Sequence, residues 1–277
     1  MKSDYVYIVD HEQTQGRRPN QEDAVRSSDG SVYEEKGILV VLSDGMGGMN
    51  EGERFSEIAT RNMVSYFERT EPKADVRQEL LACFGEAQQE ALKLVQSGVH
   101  GGATVVAVLV RDYRCSFLCV GDSSLCLIRN GGLIHLNRMH TLGVSLDESV
   151  ALGYLDKEYA DFNTHRDSLT SYLGCEEVCC DVCSVPFIMQ PGDRIALMSD
   201  GVTGALSDEE LIEAISGGSV QQAVERVIAE VLKKDNPRQD NASIAIISME
   251  ERAKDWQGAQ AGPKGGSRWR RNTRMSR

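Results

Sequence analysis

Acidic residues stand at the ends of two apolar segments, a position that is costly for a charge. The segment 38–42 runs into Ser43-Asp44-Gly45, and the segment 194–198 runs into Ser199-Asp200-Gly201. A carboxylate at the end of a buried strand loses hydration, so it needs a cation to neutralise it. The glycine that follows lets the backbone approach a ligand closely. We interpret both motifs as carboxylates that a strand offers to a metal ion.

Further acids lie beside other predicted strands. Asp122 follows a strand, and Asp240 precedes one. In an antiparallel sheet the end of one strand lies beside the start of its neighbour, so these two acids, Asp44 and Asp200 can share one edge of a sheet. All-oxygen ligands suit Mg²⁺ or Mn²⁺ better than Zn²⁺. Two such ions that share a carboxylate would lower the pKa of a bridging water and bind a phosphate.

The loop 16–23 admits two interpretations. It mixes cations and acids around Pro19, which is typical of a solvated surface loop. Alternatively, Glu22 binds the metal and Arg18 binds an oxyanion, because a guanidinium presents a planar fork that matches phosphate. The residue types alone leave both interpretations open.

Alternating and helical patterns predict the elements that must position these acids. The predicted strands cover 5–9, 38–42, 103–110, 115–120, 125–129, 133–136, 182–189, 194–199 and 242–248. Helical spacing predicts two amphipathic helices within 55–67 and 76–95, and capping boxes at Ser207 and Ser219 begin two more. The segment 140–173 is less regular, and we expect a surface excursion with short helices there.

Composition limits the class of protein. The chain has 277 residues, 41% of them hydrophobic, which is enough for a sizeable core, and its formal charge of −12 argues against general nucleic-acid binding and against docking on anionic lipid. The longest apolar run, 103–110, is too short to span a bilayer. We therefore expect a soluble cytoplasmic protein, in which the eight cysteines are reduced thiols.

Seven motifs occur in an order that resembles the metal-dependent protein phosphatases, the type 2C Ser/Thr phosphatases. Together they extend over about 5–248, nearly the whole predicted domain, and agreement of seven ordered motifs is specific where one would be weak. The motifs are Arg18-x-x-x-Glu22-Asp23, Ser43-Asp44-Gly45-Met46-Gly47-Gly48, Gly102-Ala103-Thr104, Val120-Gly121-Asp122-Ser123, Pro191-Gly192-Asp193, Ser199-Asp200-Gly201 and Asp240-Asn241-Ala242-Ser243.

The resemblance implies an α+β fold, a four-layer α-β-β-α sandwich in which helices flank two central antiparallel sheets and the metal centre lies between the sheets at one end. It implies two Mn²⁺ or Mg²⁺ ions, with a third in some members. Each residue then has an implied role: Asp44 bridges the two ions, Asp200 and Asp240 complete one site, Glu22 and the Gly45 carbonyl serve the other, Asp23 holds metal-bound water, Asp122 helps bind the third ion, and Arg18 holds the substrate phosphate.

The implied reaction is hydrolysis of phosphoserine or phosphothreonine on proteins by a metal-bridging hydroxide, without a phosphoenzyme. Animal-type members have a histidine as proposed general acid where this chain has Met46, as in bacterial-type members. We therefore assign no general acid. Ser124 stands where the family usually has arginine, and Met139 where it usually has aspartate. These departures bear on the third metal site rather than on the central pair.

Two further hypotheses compete with a protein phosphatase. A phosphatase-like fold could act as a binding module without turnover, or the metal centre could hydrolyse small phosphate esters. For the main hypothesis we expect phosphorylated proteins as substrates, an opposing Ser/Thr kinase, a monomer, and no membrane or nucleic-acid partner. The domain is expected to cover 1–250, with a variable flap at 140–173 that influences substrate choice and a basic, disordered tail at 251–277.

A cysteine cluster adds one weaker signal. Cys175, Cys179, Cys180 and Cys183 could form a four-thiolate zinc site, but zinc ligand pairs usually need a longer spacer between them. We favour structural thiols. The basic tail likewise admits two interpretations, a docking segment for an acidic partner or a solubilising end.

Overall fold

The computed structural model describes residues 5–47, 51–183 and 185–251, and the predicted basic tail lies outside these ranges except for residue 251. One antiparallel sheet has seven strands, in the order β10-β6-β5-β3-β2, with β4 paired to β3 and β9 paired to β6. Its strands are β2 Asp23–Ser27, β3 Ile38–Gly47, β4 Gly101–Ala103, β5 Val105–Arg111, β6 Arg114–Val120, β9 Asp181–Val182 and β10 Phe187–Ile188.

The second sheet has five antiparallel strands in the order β1-β12-β11-β7-β8. These strands are β1 Tyr5–Thr14, β7 Ser124–Arg129, β8 Gly132–His135, β11 Arg194–Met198 and β12 Ala242–Glu251. The first and last strands of the described chain are therefore neighbours, and β12 lies between β1 and β11.

Eight α-helices complete the described part of the chain. They are α1 Tyr33–Lys36, α2 Glu51–Arg69, α3 Val76–Gln96, α4 Leu142–Ala151, α5 Lys157–Asp161, α6 Asp200–Thr203, α7 Asp208–Ile215 and α8 Val220–Lys233. The predicted capping boxes are present, with Ser207 and Glu210 at the start of α7 and Ser219 and Gln222 at the start of α8. No helix of the described ranges has both the length and the apolar character needed to cross a bilayer.

Strand alternation assigns the layers of the fold. On β3, Leu39 and Val41 pack with the apolar faces of α2 and α3, whereas Val40 and Leu42 belong to the core between the two sheets. On β12, Ile244 and Ile246 pack with α7 and α8 in the same way. The order helix, sheet, sheet, helix is the predicted four-layer sandwich, so the predicted fold class is confirmed.

Two of the predicted strands are interrupted in the structure. The run 103–110 is interrupted at Thr104, which separates β4 from β5. The predicted strand over 182–189 is wrong, because β9 and β10 are two short strands, each paired to β6. Pro186 lies between them, and a proline lacks the amide donor that a continuous ladder requires.

Candidate metal centre

Asp44 lies inside β3, which continues beyond the acid rather than ending there. Thr104, in the break between β4 and β5, fixes this part of the strand. The Asp44 amide donates to the Thr104 hydroxyl at 3.0 Å, and the Ser43 hydroxyl donates to the Thr104 carbonyl at 2.6 Å. These two contacts hold the strand at residues 43 and 44 without using the Asp44 carboxyl group.

Asp23 faces Asp44 across the antiparallel pair of β2 and β3. One of its carboxyl oxygens, Oδ2, accepts a hydrogen bond from the Ser199 hydroxyl at 2.8 Å, and the other, Oδ1, is buried without a protein partner. Burial raises the pKa of Asp23 to about 6, with a further contribution from the charge of Asp200. A buried oxygen without a donor is what a water or a cation would satisfy.

Asp200 begins α6 one residue after β11, and its charge acts on Asp44. Burial, then the charges of Asp23, Asp200 and Asp122, raise the pKa of Asp44. Burial and the charge of Asp240 raise the pKa of Asp200. Each carboxylate thus makes the ionisation of its neighbours less favourable, which is the condition that a divalent cation relieves.

Arg18 and Asp240 form an ion pair that connects the first loop to the start of β12. The guanidinium predicted to hold phosphate therefore lies beside a predicted metal ligand. The Arg18 side chain is 56% exposed and therefore accessible to a ligand from solvent. Burial raises the pKa of Glu22, Arg18 lowers it, and Asp240 and then Glu53 raise it again. Of these neighbours, Glu53 was not predicted, and it lies in the first turn of α2.

Asp122 follows β6 and is held through its neighbour, Gly121. The Gly121 amide donates to Nδ1 of the buried His140 at 3.0 Å, and the His140 amide donates to the Gly121 carbonyl at 2.9 Å. Burial and then the charge of Asp200 raise the pKa of Asp122 to about 6. The role of His140 was not predicted, because only its backbone and ring contacts reveal it.

The acids come from both sheets rather than from one edge of a single sheet. Asp23, Asp44 and Asp122 belong to the seven-stranded sheet or its loops, and Asp200 and Asp240 adjoin strands of the five-stranded sheet. The single-edge prediction is therefore wrong. The residues meet because the same ends of two facing sheets meet, as the family resemblance implied.

The donor set fits a hard divalent cation. It consists of carboxylates that disfavour one another's charge and an unsatisfied buried oxygen on Asp23. Oxygen ligands of this kind suit Mg²⁺ and Mn²⁺. Among the described residues, no three His, Cys, Asp or Glu side chains already stand in the arrangement of a complete metal-binding group. The acids therefore lie beside one another as neighbouring pairs rather than as one complete set of ligands.

The cysteine cluster has a different character. Cys179 is exposed, and the other three thiols are partly buried. Burial raises the pKa of Cys180 to about 12, and a protonated thiol is a poor metal ligand. Of the segment 175–183, only Asp181–Val182 belong to a strand, β9. These contacts favour structural thiols.

The sandwich and its carboxylates define a class of protein, the hydrolases that hold divalent cations with oxygen ligands. A family model described as Protein phosphatase 2C matches residues 12–245. The chain belongs to the protein phosphatase 2C family. The predicted family and fold are confirmed, and with them, at the level of the family, the predicted enzyme class and its dependence on Mn²⁺ or Mg²⁺.

Bacterial relatives support the predicted bacterial type. The Serine/threonine phosphatase stp of Listeria monocytogenes is 30% identical over 195 residues, which cover 67% of this chain and 75% of the relative. PstP of Mycobacterium tuberculosis is 27% identical over 214 residues, 76% of this chain but 40% of that relative's length. A crystal structure of the PstP catalytic domain in complex with 2 manganese ions has a TM-score of 0.72 at 25% identity, with 89% of this chain and 99% of that chain covered.

Proposed function

We propose that this protein hydrolyses phosphoserine and phosphothreonine on proteins with two Mn²⁺ or Mg²⁺ ions. Asp44, Asp200, Asp240, Glu22 and the Gly45 carbonyl would hold them, and Asp122 would help hold a third. The observation that carries the proposal is the convergence of carboxyl groups from two sheets on Asp44, which faces Asp23 across the β2–β3 pair and whose pKa the charges of Asp23, Asp200 and Asp122 raise. The relatives described above support it. A kinase that phosphorylates the same proteins is the expected opposing partner.

When bound, such ions supply a hydroxide nucleophile at neutral pH and neutralise charge on the phosphate, so hydrolysis needs no phosphoenzyme. The chain itself supplies orientation. Ser199 holds one oxygen of Asp23, which leaves the other free to accept a proton from a water. Arg18 reaches the site from the first loop, and its planar fork can bind two phosphate oxygens.

The leaving group has no assigned acid in this chain. Met46 follows the Asp44-Gly45 pair, and a thioether has no proton to donate. A water at the site would therefore have to protonate the leaving seryl or threonyl oxygen. The predicted monomeric state, cytoplasmic location and domain limits at 1–250 remain predictions.

Hydrolysis of p-nitrophenyl phosphate is expected to require Mn²⁺ or Mg²⁺. Protein treated with chelator should be inactive and should regain activity when Mn²⁺ is added, because the carboxylates alone repel an anionic phosphate. Calorimetry should show Mn²⁺ binding, and melting curves should show stabilisation of about 2.7 kcal/mol at a Mn²⁺ concentration of 100 times Kd.

The same assays separate the competing hypotheses. Binding of Mn²⁺ and of a phosphopeptide without turnover would favour a binding module. Faster turnover of small metabolite phosphates than of phosphopeptides would favour a small-ester hydrolase. Equal hydrolysis with and without chelator would contradict the metal centre itself.

A further inference from the structure

Asn241 lies directly after Asp240, and its side chain is buried, with 5% of the residue exposed. All three hydrogen bonds of its side chain are with the first loop of the chain, the segment 15–22. Its Oδ1 accepts from the Glu22 amide at 2.8 Å, and its Nδ2 donates to the carbonyls of Gln15 at 2.9 Å and Asn20 at 2.8 Å. One amide side chain thus contacts the beginning, middle and end of the segment 15–22.

The segment 15–22 has no regular secondary structure of its own. It rests on the residues around Asn241, since the Arg17 amide donates to the Gln239 carbonyl at 2.8 Å. A Cβ atom on Gly16 would lie 2.3 Å from the Asp240 carbonyl oxygen, so the two backbones are in direct contact. Asn241 itself is firmly placed, because it directly precedes β12, which lies between β1 and β11 in the sheet.

We propose that Asn241 is a positioning residue, which sets the placement of Glu22 and Arg18 relative to Asp240. The inference rests on the proposed function, because it concerns ligands of that metal centre. Glu22 and Asp240 are far apart in sequence, and the loop that carries Glu22 and Arg18 has no regular secondary structure to fix its position. A side chain that satisfies three backbone groups at once fixes the loop without contacting metal or substrate.

An Asn241→Ala protein is expected to bind Mn²⁺ about 10–100-fold more weakly, the usual effect of losing a partner that orients a ligand. Excess Mn²⁺ should restore part of kcat. Without metal, hydrogen exchange of the segment 15–22, above all of the Glu22 amide, should accelerate. Asn241→Asp keeps an acceptor for Glu22 but places an oxygen against two carbonyls, so it should show both effects as well.

Asn137→Ala is the matched control. Asn137 also holds two backbone groups, the Leu125 amide at 2.8 Å and the Ser123 carbonyl at 3.0 Å, but it does not contact the first loop. It should leave exchange of 15–22 unchanged. Unaltered exchange and Mn²⁺ affinity in both folded Asn241 variants would overturn the proposal. If the unmodified protein binds no Mn²⁺, the proposed function fails, while the exchange data still decide whether Asn241 holds the loop.

The flap segment, residues 140–173, carries a second and independent observation. Its two ends lie beside the metal centre, through His140 on Gly121 and through Leu173, which exchanges two backbone hydrogen bonds with Ala103. Between those ends, four large apolar side chains are exposed within a short stretch. They are Leu152 at 68%, Tyr154 at 82%, Tyr159 at 62% and Phe162 at 79%. All four lie within residues 152–162, and a concentration of exposed apolar side chains in one segment is a feature of interaction sites.

The charge of the flap segment indicates the kind of partner. Asp147, Glu148 and Asp161 form ion pairs. Among the described residues, Asp156, Glu158 and Asp167 form none. Asp167 lies close enough to Asp122 for its charge to raise the pKa of that residue. An apolar and acidic surface beside an acidic site complements a segment that carries apolar and basic side chains.

We infer that the flap segment docks phosphoprotein segments in which apolar and basic residues flank the phosphoresidue. This inference also rests on the proposed function and narrows its substrate class. Two phosphoserine peptides of equal length test it, one with leucine and arginine flanks and one with serine and glutamate flanks. The readout is kcat/KM for each peptide divided by kcat/KM for p-nitrophenyl phosphate.

The unmodified protein should favour the basic peptide by about tenfold or more. A double change, Tyr154→Ser with Phe162→Ser, should remove most of that preference. Ile134→Ser is the control, because Ile134 is 51% exposed on β8, outside the flap segment. Equal use of both peptides would overturn the inference and leave the proposed function intact. No turnover of either peptide or of the aryl phosphate would instead contradict the proposed function.

Discussion

An Asp44→Asn enzyme is expected to lose activity by about 10³-fold or more, the upper range for removing one group that stabilises charge in a transition state. The chelator-treated variant is expected to melt at a higher temperature than the unmodified protein. Burial and three neighbouring acids raise the pKa of Asp44, so its ionised form opposes folding at neutral pH. An amide of the same shape removes that charge. Turnover of p-nitrophenyl phosphate and melting curves with chelator or Mn²⁺ measure both effects.

Asp193→Asn provides the matched control for a buried acid. Asp193 accepts hydrogen bonds from Arg129 at 2.8 and 2.6 Å. The positive charge of Arg129 therefore compensates the negative charge of Asp193. The same chemical change should therefore lower the melting temperature and leave the turnover of folded protein unchanged. Unaltered activity in the Asp44→Asn enzyme would show that Asp44 is not part of the catalytic site.

A Gly45→Ala enzyme is expected to bind Mn²⁺ about 10–100-fold more weakly and to be less stable by about 1–3 kcal/mol. A Cβ atom there would lie 2.2 Å from the carbonyl oxygen of Gly52 and 2.6 Å from that of Glu22. Both are backbone atoms, so neither can rotate away. Relief requires α2 or the first loop to move away from β3, which would change the position of Glu22 relative to the Gly45 carbonyl. Calorimetry and thermal melts measure the two effects.

Gly85→Ala separates this local effect from the general effect of replacing a glycine. Gly85 lies in α3, and a Cβ atom there would meet nothing within 4 Å. Alanine favours the helix by about 1 kcal/mol over glycine, so this variant should be more stable, with unaltered Mn²⁺ affinity. If the Gly45→Ala enzyme kept its affinity, the contact between β3 and α2 would not determine the metal site.

Much of the architecture follows from local pattern. The buried run that became β3, the spacing of Phe55 to Phe67 in α2, and the capping boxes of α7 and α8 each depend on neighbouring residues, and each was predicted. The failure at 182–189 has a local cause too, because Pro186 interrupts a run whose other residues favour a strand.

The site was less accessible to prediction because its geometry depends on how the sheets pack. Residue types identified the acids, but their assignment to one sheet edge was wrong, since no sequence pattern shows which strand ends face each other. The contacts of Thr104, His140 and Asn241 were missed for the same reason. They are ordinary polar residues in sequence, and only their long-range hydrogen bonds indicate a role.

The central position of β12 has a consequence for synthesis. On the ribosome, Asp240 and β12 emerge after all the other proposed ligands, and β1 has no partner strand until β12 is made. A nascent chain therefore cannot assemble the catalytic centre before β12 is complete. Newly made polypeptide should remain inert towards phosphoproteins until the whole domain has left the exit tunnel, so that premature dephosphorylation is prevented by strand order alone.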